Sequence, residues 1–82
     1  MITRDVEVNL SRDVERVMAR LVSVAGDYES RIYLVCRDRK VNAKSIMGVM
    51  TMAPYNGDTI TVTAEGRDET EAVEAIEEFF NA

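Results

Sequence analysis

The apolar residues of this 82-residue chain change their spacing several times, and these changes limit the folds that it can adopt. Near the N-terminus apolar and polar residues alternate, with Val6, Val8 and Leu10 on one side. A period of two is typical of a strand with one buried face. The pattern therefore predicts a strand over residues 2–10.

From residue 14 the apolar residues recur every three or four positions, which is the spacing of an amphipathic helix. The residues in this spacing are Val14, Val17, Met18, Leu21, Val22, Ala25 and Tyr28. Ser11 or Asp13 can cap the first turn, and Gly26 is a natural end. The sequence therefore predicts a helix that begins near residue 14 and ends near Gly26.

The middle of the chain predicts a hairpin followed by a short helix. A strand over roughly 31–36 precedes the polar turn Arg37-Asp38-Arg39, and a short strand follows near 40–42. Ser45 stands before an apolar stretch, which is typical of an N-cap and one or two helical turns.

The C-terminal third predicts one more strand and one more helix. Alternation from Thr59 to Glu65 indicates the strand, and Asp68 and Glu71 have the spacing of a capping box before an amphipathic helix. The resulting order is βαββαβα, in a single domain over residues 1–82. Because each long helix has one apolar stripe, both must pack on the same side of a four-stranded sheet, which is an α+β architecture.

The charge distribution disfavours several classes of partner. The net charge is −5, and residues 65–82 alone carry a balance of −6 against +1 for the rest. An acidic chain gains nothing from a phosphate backbone, so we expect no direct nucleic-acid binding. The sequence has no apolar run of membrane-spanning length and no signal pattern, and we expect a soluble, cytoplasmic protein without membrane contact.

The residues that carry most catalytic and metal chemistry are scarce. There is no histidine, and Cys36 is the only cysteine, so no zinc or haem ligand set is present and we expect no cofactor. Cys36 is interpreted as a half-buried thiol in a strand. The remaining serine, lysine and acidic residues form no catalytic pattern, and we expect no enzyme.

The segment Asn42-Ala43-Lys44-Ser45-Ile46-Met47-Gly48-Val49-Met50 closely resembles the regulatory-serine motif of Gram-positive HPr proteins, the small phosphocarriers of the sugar phosphotransferase system. Two further segments, Val22-x-x-Ala25-x-x-Tyr28-x-Ser30 and Ala64-x-Gly66-x-Asp68-Glu69, also match that family, as does Gly57-Asp58-x-Ile60. The resemblance implies the open-faced β-sandwich of HPr, with an antiparallel sheet.

One stretch departs from the family. HPr proteins carry the loop Gly-Leu-His-Ala-Arg-Pro-Ala, whose histidine takes phosphate from Enzyme I. Residues 11–18 lack its glycine, histidine and proline, and aligning Arg16 with the family arginine places Val14 at the histidine position. A valine has no lone pair to attack phosphorus, so the resemblance does not extend to phosphocarrier activity.

Ser45 has two interpretations. A serine before a helix is most simply a capping residue. In the family that the chain resembles, the matching serine is phosphorylated by HPr kinase/phosphorylase, and the phosphoprotein is corepressor for a LacI-type catabolite control protein. The nine-residue match favours phosphorylation of Ser45.

The resemblance also implies a docking surface beside Ser45, formed by Ile46, Met47 and Met50, whereas Val49 and Met52 are assigned to the core. The predicted partner-binding set further includes Arg16, Arg20 and Lys44. We expect a catabolite repression HPr type of regulator, as a monomer or weak homodimer. Two alternatives stay open: a constitutive, unphosphorylated binding module, and an inactive competitor within the phosphotransferase system.

Overall fold

The computed structural model describes residues 1–8, 14–52 and 54–81. Its elements follow the predicted order βαββαβα. They are β1 (Ile2–Glu7), α1 (Val14–Gly26), β2 (Arg31–Cys36), β3 (Arg39–Asn42), α2 (Ile46–Met52), β4 (Thr59–Glu65) and α3 (Glu69–Asn81). The predicted α+β class is confirmed.

The four strands form one antiparallel sheet in the order β1-β4-β2-β3. β4 and β2 are therefore the central strands, and β1 and β3 are the edges. The antiparallel pairing implied by the family resemblance is confirmed.

The core lies between one face of this sheet and the helices. Even-numbered residues of β1, β2 and β4 point to the helices, and Val6, Leu34 and Val62 are among those that are buried. Met18 of α1 and Ile76 of α3 are fully buried against them. The odd-numbered residues of β1, β2 and β4 lie on the opposite face, where none is buried.

Two strand boundaries differ from the prediction. β1 ends at Glu7, and Val8 instead joins the turn before β4: its N–H donates to the Asp58 carbonyl at 2.8 Å, and its carbonyl accepts from Gly57 N–H at 3.0 Å. β3 begins at Arg39 because the turn consists of only two residues, Arg37 and Asp38, with φ of 47° and 69°. Leu10 and the two candidate caps Ser11 and Asp13 lie outside the described residues.

The predicted capping box before the last helix is wrong. The Asp68 carboxylate accepts from the backbone N–H groups of Glu29 and Ser30, both at 2.9 Å, so it turns away from the first turn of α3. The carboxylate that turns back is that of Glu69, whose Oε1 accepts from Gly66 N–H at 3.1 Å. A long-range contact thus replaces the local one.

Cys36 is buried more deeply than a half-buried strand thiol, with 2% of its surface exposed. No helix within residues 1–8, 14–52 and 54–81 is long and apolar enough to cross a membrane.

Candidate docking site around Ser45

Ser45 caps α2, as the sequence predicts. Its Oγ accepts a 3.2 Å hydrogen bond from the backbone N–H of Gly48, and its carbonyl accepts from Val49 N–H at 3.0 Å. The turn before it is held by Asn42, whose side-chain oxygen accepts from Lys44 N–H at 2.9 Å. Asn42 therefore sets the entry of the chain into α2, and Ser45 satisfies the first turn.

Gly48 keeps space around the Ser45 hydroxyl. A Cβ at position 48 would lie 3.3 Å from Ser45 Oγ and 3.5 Å from Val41 Cβ. A side chain there would press on the serine from the helix side. The glycine in this segment thus leaves space beside the hydroxyl of Ser45, a partly exposed residue, while its N–H supports the cap.

The apolar residues of α2 divide into exposed and buried sets. Ile46 is 45% exposed and Met47 is 77% exposed, whereas Val49 and Met52 are buried. Met50 is partly buried against the core. Two of the three predicted docking residues, Ile46 and Met47, therefore present open apolar surface next to Ser45.

The predicted basic residues lie on two different elements. Arg16 and Arg20 are exposed on α1, which packs against α2. Lys44 is exposed too, but its Nζ donates to the Tyr28 carbonyl at 2.5 Å and so ties the start of α2 to the segment after α1. Val14, at the expected histidine position, is the first residue of α1 and is 36% exposed.

A second polar cluster lies at the other end of α2. Asp58 Oδ2 accepts from Tyr55 N–H at 2.7 Å, lies 3.4 Å from Arg37 Nε, and contacts the Cys36 thiol at 3.8 Å. The Arg37 guanidinium also stacks over the Tyr55 ring, 4.6 Å from its centroid. Its contact with the Cys36 thiol, followed by the charge of Asp58, raises the pKa of Arg37 above its ordinary value.

This cluster was not predicted from the sequence, which indicated only a polar turn at Arg37-Asp38-Arg39. Both arginines reach the last carbonyls of α2: Arg37 donates to Met52 O at 3.5 Å and Arg39 to Thr51 O at 3.3 Å. Cations at a helix C-terminus satisfy its open carbonyls. The hairpin therefore supports α2 from its end, opposite to the Ser45 cap. The part of the chain that the structure describes holds no group of three or more Cys, Asp or Glu side chains arranged for a metal ion.

A four-stranded antiparallel sheet with helices on one face, and a capping serine beside exposed apolar residues, defines a small domain of the HPr type. The family model described as the PTS HPr component phosphorylation site matches residues 2–82, and the chain belongs to the HPr family.

Individual proteins of this family are similar to the chain in sequence and in structure. The chain is 44% identical to the HPr-like protein Crh of Halalkalibacterium halodurans, covering 93% of this chain and 92% of that protein. Among solved structures, HPr-C-His of Thermoanaerobacter tengcongensis superposes with a TM-score of 0.92 at 33% identity, covering 99% of this chain and 92% of the other. Crh of Bacillus subtilis, described as a dimer with a swapped domain, gives a TM-score of 0.76 at 37% identity, with coverage of 99% and 94%.

Proposed function

We propose that this chain is an HPr-like regulatory protein that is phosphorylated on Ser45 by an HPr kinase/phosphorylase and then acts as corepressor for a LacI-type catabolite control protein. The observation that carries the proposal is the combination of a partly exposed capping serine with the exposed residues Ile46 and Met47. Val14 at the expected histidine position supports regulation over phosphate transfer to sugar-specific transporters, because valine has no group that can accept phosphate. Its place is then the cytoplasm, together with the kinase and the regulator.

The local structure is suited to a phosphate on Ser45. The serine oxygen already accepts from Gly48 N–H, so a phosphate oxygen can take over that bond without unwinding α2. The modification adds about 1.5 to 2 negative charges and three strong acceptors at one point of the surface. The result is a new recognition feature on an unchanged fold.

The partner surface would then combine three kinds of contact. Ile46 and Met47 supply apolar area, and methionine adapts its shape to a partner at low cost. Phosphoserine supplies charge-assisted acceptors for arginine or lysine of the regulator. Arg16 and Arg20, on the helix that packs beside α2, supply cations for acidic groups of the same partner.

The test uses purified HPr kinase/phosphorylase with ATP. We expect one acid-stable phosphoryl group on the wild-type chain and none on Ser45→Ala, with Ser23→Ala, an exposed serine on α1, as the matched control that still accepts phosphate. The phosphorylated chain should then bind the catabolite control protein more tightly than the unmodified chain. Failure of incorporation with kinases that phosphorylate an HPr control would reject the proposal.

A second candidate is a constitutive binding module of the same fold. It is favoured by the exposure of Met47 at 77% and Ile46 at 45% in the unmodified chain, because a partner could dock there without any phosphate. The two functions differ in one measurement. If the chain purified from its native cells carries no phosphate and Ser45→Ala keeps its partner, the constitutive function is correct.

A further inference from the structure

The basic side chains of this acidic protein are concentrated in one part of the chain. Residues 31–44, which include β2 and β3, carry a balance of +4, whereas the other residues carry −9. The strand order places β3 at one edge of the sheet and β1 at the other, and the acidic helix α3 packs beside β1. The edge formed by β3 (Arg39–Asn42), which we call the β3 edge, is therefore the basic edge of the sheet.

The hydrogen-bond pattern of the β2–β3 hairpin decides which backbone groups of β3 point outward. Ala43 N–H donates to the Ile32 carbonyl at 2.9 Å, which makes these two residues a hydrogen-bonded pair. Bonded and non-bonded pairs alternate along an antiparallel ladder, so Val41 and Arg39 also bond to β2, and Lys40 does not. The N–H and the carbonyl of Lys40 therefore point away from the sheet.

These two backbone groups of Lys40 have no backbone partner within the described part of the chain. The N–H of Asn42 points in the same direction, while the Asn42 carbonyl accepts from Ser45 N–H at 3.0 Å and so ends the strand. α2 packs on β3 from the helix side, where the Cβ position of Gly48 is 3.5 Å from Val41 Cβ, and Lys40 is exposed. The β3 edge thus offers two donors and one acceptor to a further strand.

The side chains of β3 alternate in direction, and each direction presents a cation. Lys40 lies on the face away from the helices, where its Nζ is 4.8 Å from the centre of the Tyr33 ring. Arg39 lies on the helix side, where it donates to the Thr51 carbonyl at 3.3 Å. A guanidinium has five N–H groups, so Arg39 keeps donors for a carboxylate. It also borders a cavity of about 230 Å³, which is lined by Cys36, Arg37, Arg39, Thr51, Met52 and Tyr55.

We propose that the β3 edge docks an acidic, extended segment of a partner protein, which pairs antiparallel with β3 as a fifth strand of the sheet. In this mode of peptide recognition the backbone hydrogen bonds give affinity and the alternating side chains give specificity. The residue of the segment opposite Lys40 forms both backbone bonds with it and points to the same face as the lysine side chain. The residue after it lies opposite Arg39, beside the cavity, and the residue before it lies opposite Val41.

This geometry specifies a short sequence in the partner. In the direction from N- to C-terminus, the segment has an apolar residue opposite Val41, an acid opposite Lys40 and a second acid opposite Arg39. Opposite charges directly across two neighbouring strands stabilise their pairing, and like charges destabilise it. The expected centre of the segment is therefore Val-Asp-Glu or a sequence of the same chemical character.

The charges near the two sheet edges disfavour other pairings. Two copies of the chain paired along β3 would bring Arg39 and Lys40 of one copy next to the same cations of the other, and charged edge strands in natural sheets prevent such pairing. At the β1 edge the acidic helix α3 lies close, since Arg4 of β1 bonds Glu77 of α3 at 2.9 Å. An acidic segment is therefore attracted to the β3 edge and not to the β1 edge.

The first experiment titrates isotope-labelled protein with the capped peptide acetyl-Thr-Val-Asp-Glu-Thr-amide at low salt and follows the amide resonances. We expect chemical-shift changes on β2 and β3, with a dissociation constant of about 1 mM or lower. In the free chain Lys40 N–H should exchange rapidly with solvent and Val41 N–H slowly, because only Val41 bonds to β2. At about 5 mM peptide the exchange of Lys40 N–H should slow about sixfold. No shift at about 5 mM peptide, or slow exchange of Lys40 N–H in the free chain, would overturn the proposal.

Two modified peptides separate the backbone pairing from the charge. Asparagine and glutamine in place of the two acids keep the strand but remove its charge, and binding should weaken roughly fivefold or more. N-methylation of the peptide aspartate keeps both charges but removes the N–H that donates to the Lys40 carbonyl, and binding should again weaken roughly fivefold or more. If the N-methylated peptide binds as tightly as the parent peptide, charge attraction alone explains the contact, and strand addition is wrong.

Variants of the chain test the position of the segment. Lys40→Glu should bind the parent peptide roughly fivefold more weakly or worse, and should regain binding when lysine replaces the aspartate of the peptide. The matched control Arg67→Glu makes the same change of charge at an exposed residue before α3 and should bind the parent peptide within about twofold of wild type. Circular dichroism first shows that both variants are folded.

Two results of this comparison would reject the proposal. Equal weakening in Arg67→Glu and Lys40→Glu would show that net charge alone attracts the peptide. Failure of the lysine peptide to bind Lys40→Glu would show that the aspartate does not lie opposite Lys40. Ser45→Ala should bind the parent peptide like wild type, so the result does not depend on phosphorylation of Ser45.

Discussion

The hydroxyl of Ser30 donates a 2.5 Å hydrogen bond to Oδ1 of Asp68, which joins two segments that are 38 residues apart in the chain. The same oxygen accepts from Ser30 N–H at 2.9 Å, and Oδ2 accepts from Glu29 N–H at 2.9 Å. One carboxylate thus holds the start of β2 against the start of α3. Ser30 is 1% exposed, so its polar atoms depend on this partner.

This arrangement predicts a pH dependence of stability. The Ser30 hydroxyl, followed by the N–H of Glu29, lowers the pKa of Asp68 below its ordinary value of 3.8. A carboxyl whose pKa is lowered by folding stabilises the fold above its unfolded-state pKa, and this contribution is lost as the pH falls through the folded-state pKa. The free energy of unfolding should therefore fall below about pH 4, with Asp68 contributing to the slope.

Urea denaturation of wild type and Asp68→Asn between about pH 2.5 and 7 checks this. The variant should be less stable at neutral pH. Both carboxylate oxygens of Asp68 accept hydrogen bonds, and asparagine would replace one of these oxygens with an NH₂ group, which cannot accept. The difference in free energy of unfolding between the variant and wild type should become smaller at acidic pH. Glu74→Gln, on the exposed side of α3, serves as the control that should parallel wild type. A difference that does not change with pH would show that the Asp68 charge has no part in stability.

Gly66 allows the start of α3 to lie close to Ser30, at the start of β2. Its φ is +152°, and a Cβ at this position would lie 2.7 Å from Ser30 Oγ and 2.8 Å from Ser30 Cα. Because the obstacle includes backbone, we expect Gly66→Ala to lower the free energy of unfolding by about 2–4 kcal/mol. Gly26→Ala, where the new methyl meets no atom within 4 Å, should change it by less than about 0.5 kcal/mol. Equal losses in the two variants in chemical denaturation would contradict the packing argument.

The spacing of apolar residues and the capping residues predicted the helices and strands, because these features depend on neighbours along the chain. α1 has the predicted bounds near residue 14 and Gly26, since an amphipathic stripe and a terminal glycine are local features. The Ser45 cap and the burial of Met52 were predicted for the same reason. The capping box at Asp68 failed because the Asp68 carboxylate accepts hydrogen bonds from Glu29 and Ser30, which are distant in the sequence.

The remaining features depend on how elements meet. The Lys44–Tyr28 bond follows from the arrangement of the chain after α1 and before α2, and the partial burial of Met50 follows from core packing. No spacing in the sequence encodes either of them. The register of the three strand pairs decides which residues lie side by side on the sheet, and period-two alternation does not specify it.

Phosphotransfer gives a prediction that does not depend on the docking site. Incubation with Enzyme I and phosphoenolpyruvate should leave the chain unlabelled, because Val14 offers no nucleophile at the histidine position. The measurement is the yield of acid-labile, base-stable phosphate, with a histidine-containing HPr labelled in the same reaction as control. Such phosphate on this chain would show that another group accepts it and that the assignment of Val14 is wrong.

The two ends of α2 allow a matched test of the docking surface. Met47 is 77% exposed and Met52 is 2% exposed, so the same substitution in one short helix should have opposite consequences. Met52→Ala empties a core site and should lower the free energy of unfolding by about 2–5 kcal/mol, whereas Met47→Ala should change it by less than about 0.5 kcal/mol. Binding of the regulator should weaken roughly fivefold or more for Met47→Ala, which is about 1 kcal/mol. Chemical denaturation tests the first half, and titration calorimetry with the folded variants tests the second. If Met47→Ala destabilises the fold as much as Met52→Ala, Met47 belongs to the core, and Arg16 and Arg20 on α1 become the next residues to replace in the search for the partner surface.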